Sequence, residues 1–255
     1  MPAHKLLMVL MLAATAVSAA DLSLRYERWD WTEEDESGRR LLREDGPLLG
    51  LELEAARPLS GAWSLVGRGQ AFLGEVDYDG ATQAGDPVET TTEYYGLAGE
   101  LEVRHALAAG PALEILPLAG LGWRGWLRRI DNSGRFSSGY DEAWNTVYGL
   151  LGAGARWTAQ PHTTVFAEAA LRLPVFNQVR YSLTFNEQND HATVEPGRDP
   201  SWRAEIGVER LPWKVSLFIE RLVFSRSETK VIPPFEVFQP ESEGELIGLQ
   251  FGTEL

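Results

Sequence analysis

The chain has 255 residues, with 23 Lys plus Arg against 37 Asp plus Glu and a formal charge of -14. A polypeptide this acidic is ill suited to hold nucleic-acid phosphates. Its 44% hydrophobic and 24% charged composition is that of a folded chain, and with Cys at 0 a disulfide scaffold, a thiolate metal site and a cysteine nucleophile are all excluded.

Residues 1–20 place Lys5 before an apolar run from Leu6 to Val17 and then the small residues Ser18, Ala19 and Ala20. That order predicts a secretory signal peptide cleaved after Ala20, and the run is too short to span a bilayer. An exported chain without Cys suits a bacterial envelope.

From Asp21 onward the pattern has period two, which predicts strands with one apolar and one polar face. Leu22, Leu24 and Tyr26 oppose Arg25 and Glu27; Leu49 to Ala55 oppose Glu52 and Glu54; Trp63 to Leu73 oppose Arg68 and Gln70. Tyr95 to Val103 oppose Glu100, Glu102 and Arg104, and Leu113 to Trp123 oppose Glu114, Arg124 and Arg128. Val147 to Trp157 oppose Arg156, Val165 to Leu173 oppose Glu168 and Arg172, and Trp202 to Val208 oppose Arg203, Glu205 and Glu209. Val215 to Ile219 against Glu220 and Ile247 to Leu255 against Gln250 complete ten such runs. Pro117 falls inside one of them, where it predicts a bulge.

The connections alternate. Short ones lie near Pro58–Gly61, Leu107–Pro111, Ala159–His162 and Leu211–Pro212, and long polar ones near 32–47, 79–91, 131–142, 177–200 and 227–243. Short turns at one rim and long loops at the other are the layout of a transmembrane barrel. All nine Trp fall near strand ends in this scheme, and Trp63, Trp157, Trp213, Trp123 and Trp202 are expected in aromatic girdles at the two interfaces. The fold class is therefore all-β: a closed antiparallel transmembrane β-barrel of ten strands, with eight or twelve as alternatives, over residues 21–255.

On the signal, the ten amphipathic strands, the loop alternation and a last strand from Leu246 to Leu255, the chain resembles the small outer-membrane β-barrel proteins of Gram-negative bacteria. Such barrels usually end in an aromatic residue; this one ends in Leu255, with Phe251 four positions earlier. The resemblance implies a bacterial outer-membrane location, contact with lipid and lipopolysaccharide, handling by the barrel assembly machinery and a monomeric state, with no nucleic-acid partner.

If the apolar faces meet lipid, the opposite faces put Glu52, Glu54, Arg68, Glu100, Glu102, Arg104, Glu114, Arg124, Arg156, Glu168, Arg172, Arg203, Glu205 and Glu220 in the lumen. Charges in a narrow interior must pair or stay wet, so an ion-pair network filling the bore is expected, with a narrow pore as the alternative. Arg39, Arg40, Arg128 and Arg129 lie toward the long loops, where guanidinium groups could meet lipopolysaccharide phosphates. No catalytic set, metal site or cofactor is expected; Asp131-Asn132-Ser133-Gly134 reads as a turn. The alternative is an omptin-like protease. That family uses an Asp pair and an Asp/His pair at the outer rim, and the positions here that resemble them are Asp77 with Asp79 and Asp190 with His191.

Overall fold

The computed structural model describes residues 19–81, 85–133, 139–185, 188–232 and 235–255. Residues 1–18, most of the expected signal peptide, lie outside them, while Ala19 and Ala20 open the first strand. The strands in chain order are β1 (Ala19–Glu34), β2 (Arg40–Pro58), β3 (Trp63–Ala81), β4 (Pro87–His105), β5 (Leu107–Ala108), β6 (Leu113–Ile130) and β7 (Tyr140–Gln160). They continue with β8 (Thr163–Phe185), β9 (Gln188–Val194), β10 (Ser201–Arg210), β11 (Trp213–Phe224), β12 (Lys230–Ile232), β13 (Phe235–Val237) and β14 (Glu241–Glu254).

Ten of these close a cylinder in the order β1-β2-β3-β4-β6-β7-β8-β10-β11-β14, and β14 returns to β1 in an antiparallel ladder from Asp21↔Glu254 to Glu34↔Glu241. Closure removes the free edges that an amphipathic sheet would otherwise expose. The short β5 pairs with β6, β9 with the upper half of β8, and β12 with β13.

The strands run much longer than a bilayer crossing of about 9–11 residues requires: β8 has 23 residues and β7 has 21. This shortens several of the expected long loops, although 225–240, with its small β12–β13 hairpin, still separates β11 from β14. Much of the first expected loop, 32–47, is strand, and only residues 35–39 separate β1 from β2. Within that turn the Asp35 carboxylate accepts the Ser37 hydroxyl and the Ser37 and Arg39 amides, which hold it well below the usual carboxylate range.

Because the strands are long, Pro47, Pro117 and Pro174 all fall inside them. Each sits where pairing to one neighbouring strand lapses, as suits a residue with no N–H to donate. The expected bulge at Pro117 is absent. β6 keeps register with β7 through Pro117↔Ala153, and on its other side the β4 ladder ends at Leu118 before β5 takes over at Ile115. A register shift occurs instead between β7 and β8, where Val147 faces Phe176 and Tyr148 faces Pro174.

Along one strand the inner and outer faces exchange polarity. In the lower part of β1, Leu22, Leu24 and Tyr26 point outward while Ser23, Arg25 and Glu27 are buried inside. Above them Arg28 and Asp30 point outward and Trp29 and Trp31 inward. β3 repeats the switch, with Leu73 outward against buried Gln70, then Glu75, Asp77 and Asp79 outward against buried Val76 and Tyr78. The lower outer wall is thus a continuous apolar band, including Leu51, Leu97, Leu121, Leu171, Leu217 and Leu249, the most exposed being Leu121 at 68%. So large an apolar surface is stable only against hydrocarbon. Above the band the wall has a water-facing outside and an apolar inside, as in a soluble barrel. We refer to these two parts as the band and the head.

The head core explains four tryptophans that girdle logic misplaces. Trp29, Trp31, Trp126 and Trp144 lie inside, not at the lipid interfaces: Trp126 stacks on Trp144 at 4.9 Å and Trp31 meets Trp144 edge-on at 5.3 Å. The other five occupy outward positions. Trp63, Trp157 and Trp213 stand beside the short turns, and Trp123 and Trp202 toward the head. Inside the band, glycines make room for rings. A Cβ on Gly96 would fall 2.0 Å from Phe72, and one on Gly122 would fall 2.2 Å from Tyr148.

Candidate functional site

Strand alternation brings the inward positions of the band together at the barrel axis. Arg25, Arg68, Arg104, Arg124, Arg172, Arg203 and Lys214 form ion pairs there with Glu27, Glu52, Glu54, Glu100, Glu102, Glu168, Glu205 and Glu220, seven cations against eight carboxylates. Glu220 is a hub, accepting from Arg25 at 3.0 Å, Arg124 at 2.9 Å and Arg172 at 2.7 Å. Glu102 is a second, accepting from Arg203 and Arg104, each at 2.7 Å. Tyr148 donates its hydroxyl to Glu100 at 3.0 Å. Rings cover the guanidinium faces: Arg25 lies 3.8 Å from the centre of Phe218 and Arg124 4.8 Å from that of Phe72.

The carboxylates nearly cancel the cations. The void left among Arg25, Glu52, Arg68, Glu100, Arg172 and Arg203 measures about 20 Å³, room for a single water. This arrangement holds charge in place and leaves no open bore at that level.

Two of the expected lumen residues stand apart from the network. Glu114 faces solvent near the short-turn end and joins none of its ion pairs. Arg156 is half-buried and pairs with Glu209. Arg25, Glu27 and Lys214, absent from the expected set, belong to it; the signal for the first two was their alternation with Leu24 and Tyr26.

A second polar cluster sits in the head. Arg128 is 0% exposed and faces three buried carboxylates, Glu44 at 2.8 Å, Glu33 at 2.9 Å and Glu142 at 3.0 Å. Trp31 donates to Glu33 and Trp144 to Glu142, each at 2.9 Å; Thr92 donates to Glu44 at 2.7 Å, and Tyr94 to the same carboxylate. One guanidinium against three carboxylates leaves an excess of negative charge. Above the hydrocarbon band, where Arg129 and Asp141 mark the water-facing wall, burial and the neighbouring Glu33 push the Glu142 carboxyl up to about 7 despite Arg128.

Arg128 therefore cannot reach lipopolysaccharide, which corrects its expected placement; its even-numbered position shares the inner face with Arg124 and Trp126. The other three arginines are at the surface and already paired: Arg39 with Asp35, Arg40 with Asp79, Arg129 with Glu93 and Asp141.

Of the residues expected to resemble a protease site, Asp77 and Asp79 stand apart from His191. Asp77 and Asp79 occupy outward positions on β3, with Val76 and Tyr78 taking the inward ones, and Asp79 binds Arg40 at 3.0 Å. His191 is exposed on β9 opposite Ser182, with β4, β6 and β7 between its partner strand and β3. Asp190 is opposite Leu183, and its side chain lies outside the described residues. Among the described residues no group of three His, Cys, Asp or Glu is arranged to hold a metal ion.

No protein-family model and no curated protein matches the chain. Solved structures with the same architecture do. The outer-membrane protease OmpT from Escherichia coli is similar over 95% of this chain and 99% of its own, with 12% identity and a TM-score of 0.57. The transport unit of the autotransporter AIDA-I from Escherichia coli is similar over 94% of this chain and 91% of its own, with 9% identity and a TM-score of 0.51. The chain has the fold of Gram-negative outer-membrane β-barrels.

Proposed function

We propose that the protein is an integral outer-membrane barrel that neither conducts nor catalyses, and that presents a rigid head and its hairpins above the bilayer for binding or envelope integrity. The observation that carries this reading is the near-neutral ion-pair network across the bore, with its void of about 20 Å³. A conducting path needs a continuous file of mobile water; here each arginine of the network is engaged by carboxylates and the void holds about one water. The head core of Trp31, Trp126 and Trp144 fills the same axis higher up. Similarity to a protease extends to the fold alone, and the Asp77 and Asp79 positions give that activity no geometry.

In this reading a signal peptide directs export and the barrel assembly machinery inserts the chain. It then works as a monomer, with lipid against the band and lipopolysaccharide around the base of the head. Planar-bilayer recording of the purified, refolded protein is the test. The expected result is a silent membrane at voltages where a control porin conducts; steady single-channel steps would overturn the reading.

A further inference from the structure

The wall is not continuous all the way up. The β8–β10 ladder runs from Thr163↔Arg210 to Arg172↔Ser201 and stops, while β8 continues and gains a new partner only at Val179, where β9 begins to pair. Across the gap, β10 and β11 part company above Trp202↔Arg221. A tall seam is left between β8 and β11. It begins where the outer wall changes from Leu173 and Val175, both exposed and apolar, to Arg221, the level at which hydrocarbon gives way to water.

Residues 195–200, Glu-Pro-Gly-Arg-Asp-Pro, cross this seam without strand structure. Two prolines and a glycine prevent a ladder from forming. The segment is held instead by isolated bonds. Gly197 donates its amide to Ser225 O at 2.8 Å and accepts from Asn177 Nδ2 at 2.6 Å. Ser225 N donates to Asp199 Oδ2 at 2.9 Å, and Val223 N to Ser201 Oγ at 3.1 Å. On its opposite edge, against β7, β8 carries a register shift at the same level, beside Pro174.

Behind the seam lies a cavity of about 10 Å³, lined among others by Arg124, Thr146, Tyr148, Pro174, Ser201 and Phe224. Two polar atoms lining it have no partner, Arg124 Nε and Thr146 Oγ1, on side chains only 3% and 7% exposed; Asn177 Oδ1, in the seam itself, is a third. Buried polar atoms left unpaired are destabilising, a cost that native folds accept mainly where something else satisfies them. This stretch of wall, held by few bonds, therefore covers a cavity lined by unmet donors.

We propose that residues 195–200 are a strap closing a lateral opening in the barrel wall at the membrane–water boundary, and that its release connects the Arg124–Thr146 cavity to that boundary. Segments with few ladder bonds open locally at far lower free energy than the sheet around them. The opening leads sideways, and the ion pairs below still block the bore.

Because the chain lacks Cys, single thiols report access cleanly. Thr146→Cys places one in the cavity, Ser216→Cys places a control inside the closed part of the wall, and both are reacted with a small maleimide in phosphatidylcholine vesicles. The pair is repeated with the strap loosened by Asn177→Ala and Asp199→Ala. The expected result is that Cys at 146 reacts at least tenfold faster than Cys at 216 and faster again once the strap is loosened. Equal, slow reaction in both backgrounds overturns the proposal, as does reaction at 146 that loosening leaves unchanged. Hydrogen exchange on the unsubstituted chain guards against misfolded variants. Gly197, Val223 and Ser225 amides should exchange at least a hundredfold faster than those of the β8–β10 ladder, and matching rates would also overturn it.

Discussion

Arg25 and Glu220, 195 positions apart in the chain, hydrogen-bond at 3.0 Å inside the lumen, on strands that do not pair with each other. The contact exists only in the closed cylinder, because β14 stands between β1 and β11 and both side chains reach over it toward the axis. Glu220 also receives Arg124 and Arg172, so one carboxylate ties together β1, β6, β8 and β11.

Removing that carboxylate leaves three buried guanidinium groups short of a partner. Breaking a buried ion pair from one side costs about 3–5 kcal/mol. Glu220→Ala should lower stability by that amount in urea unfolding from lipid vesicles, whereas Glu241→Ala, exposed at the loop-end start of β14, should change it by less than about 0.5 kcal/mol.

Trp144 is packed between Trp31, Trp126 and Phe224 and donates to Glu142. Truncating a buried Trp costs about 3–5 kcal/mol. Trp144→Ala should loosen the head and spare the band, so hydrogen exchange should rise around Trp29 and Trp31 and stay slow around Leu24 and Arg25.

The polarity exchange along each strand gives opposite tolerances at two outward positions. Leu121→Arg puts a charge in hydrocarbon and should cost about 2–4 kcal/mol. Asp77→Lys, also outward but on the water-facing wall, should shift stability by no more than about 0.5 kcal/mol. Equal effects in the unfolding assay would contradict the boundary drawn between Leu73 and Glu75.

The head cluster makes stability depend on pH. A carboxyl raised to about 7 in the folded head, against 4.5 unfolded, means that the folded protein binds more protons between those values. Stability should therefore fall as pH rises from about 4.5 to 7, by on the order of 1–3 kcal/mol, and then level off. Glu142→Gln should flatten that slope in urea titrations, since a neutral amide can still accept from Arg128 and Trp144.

Much of the band is legible in the sequence, because lipid outside and paired charge inside impose one consistent alternation from Leu22 to Tyr26 or from Leu49 to Ala55. The head is not, for a physical reason. Once a strand leaves hydrocarbon the inner face becomes the apolar one, so Trp29 and Trp31 fall on the opposite parity from Leu24 and Tyr26, and the pattern looks like a strand that has ended. The same inversion turns Glu33 and Glu44, apparent loop charges, and Arg128, an apparent rim charge, into a buried cluster. Asp77 and Asp79 mislead for the complementary reason, since an acidic pair near a rim looks like chemistry until alternation places it on the outer wall. The seam at 195–200 is foreshadowed by its prolines and glycine, but which strands it separates depends on pairings far apart in the chain.

Spin labels introduced singly along β3 test the polarity exchange most directly, through their collision rates with oxygen, which concentrates in hydrocarbon, and with a water-soluble nickel chelate. The account predicts oxygen dominance at Leu73, chelate dominance at Asp77 and Asp79, and weak collision with either at the buried Val76. Oxygen dominance persisting to Asp79, or chelate reaching Leu73, would contradict it.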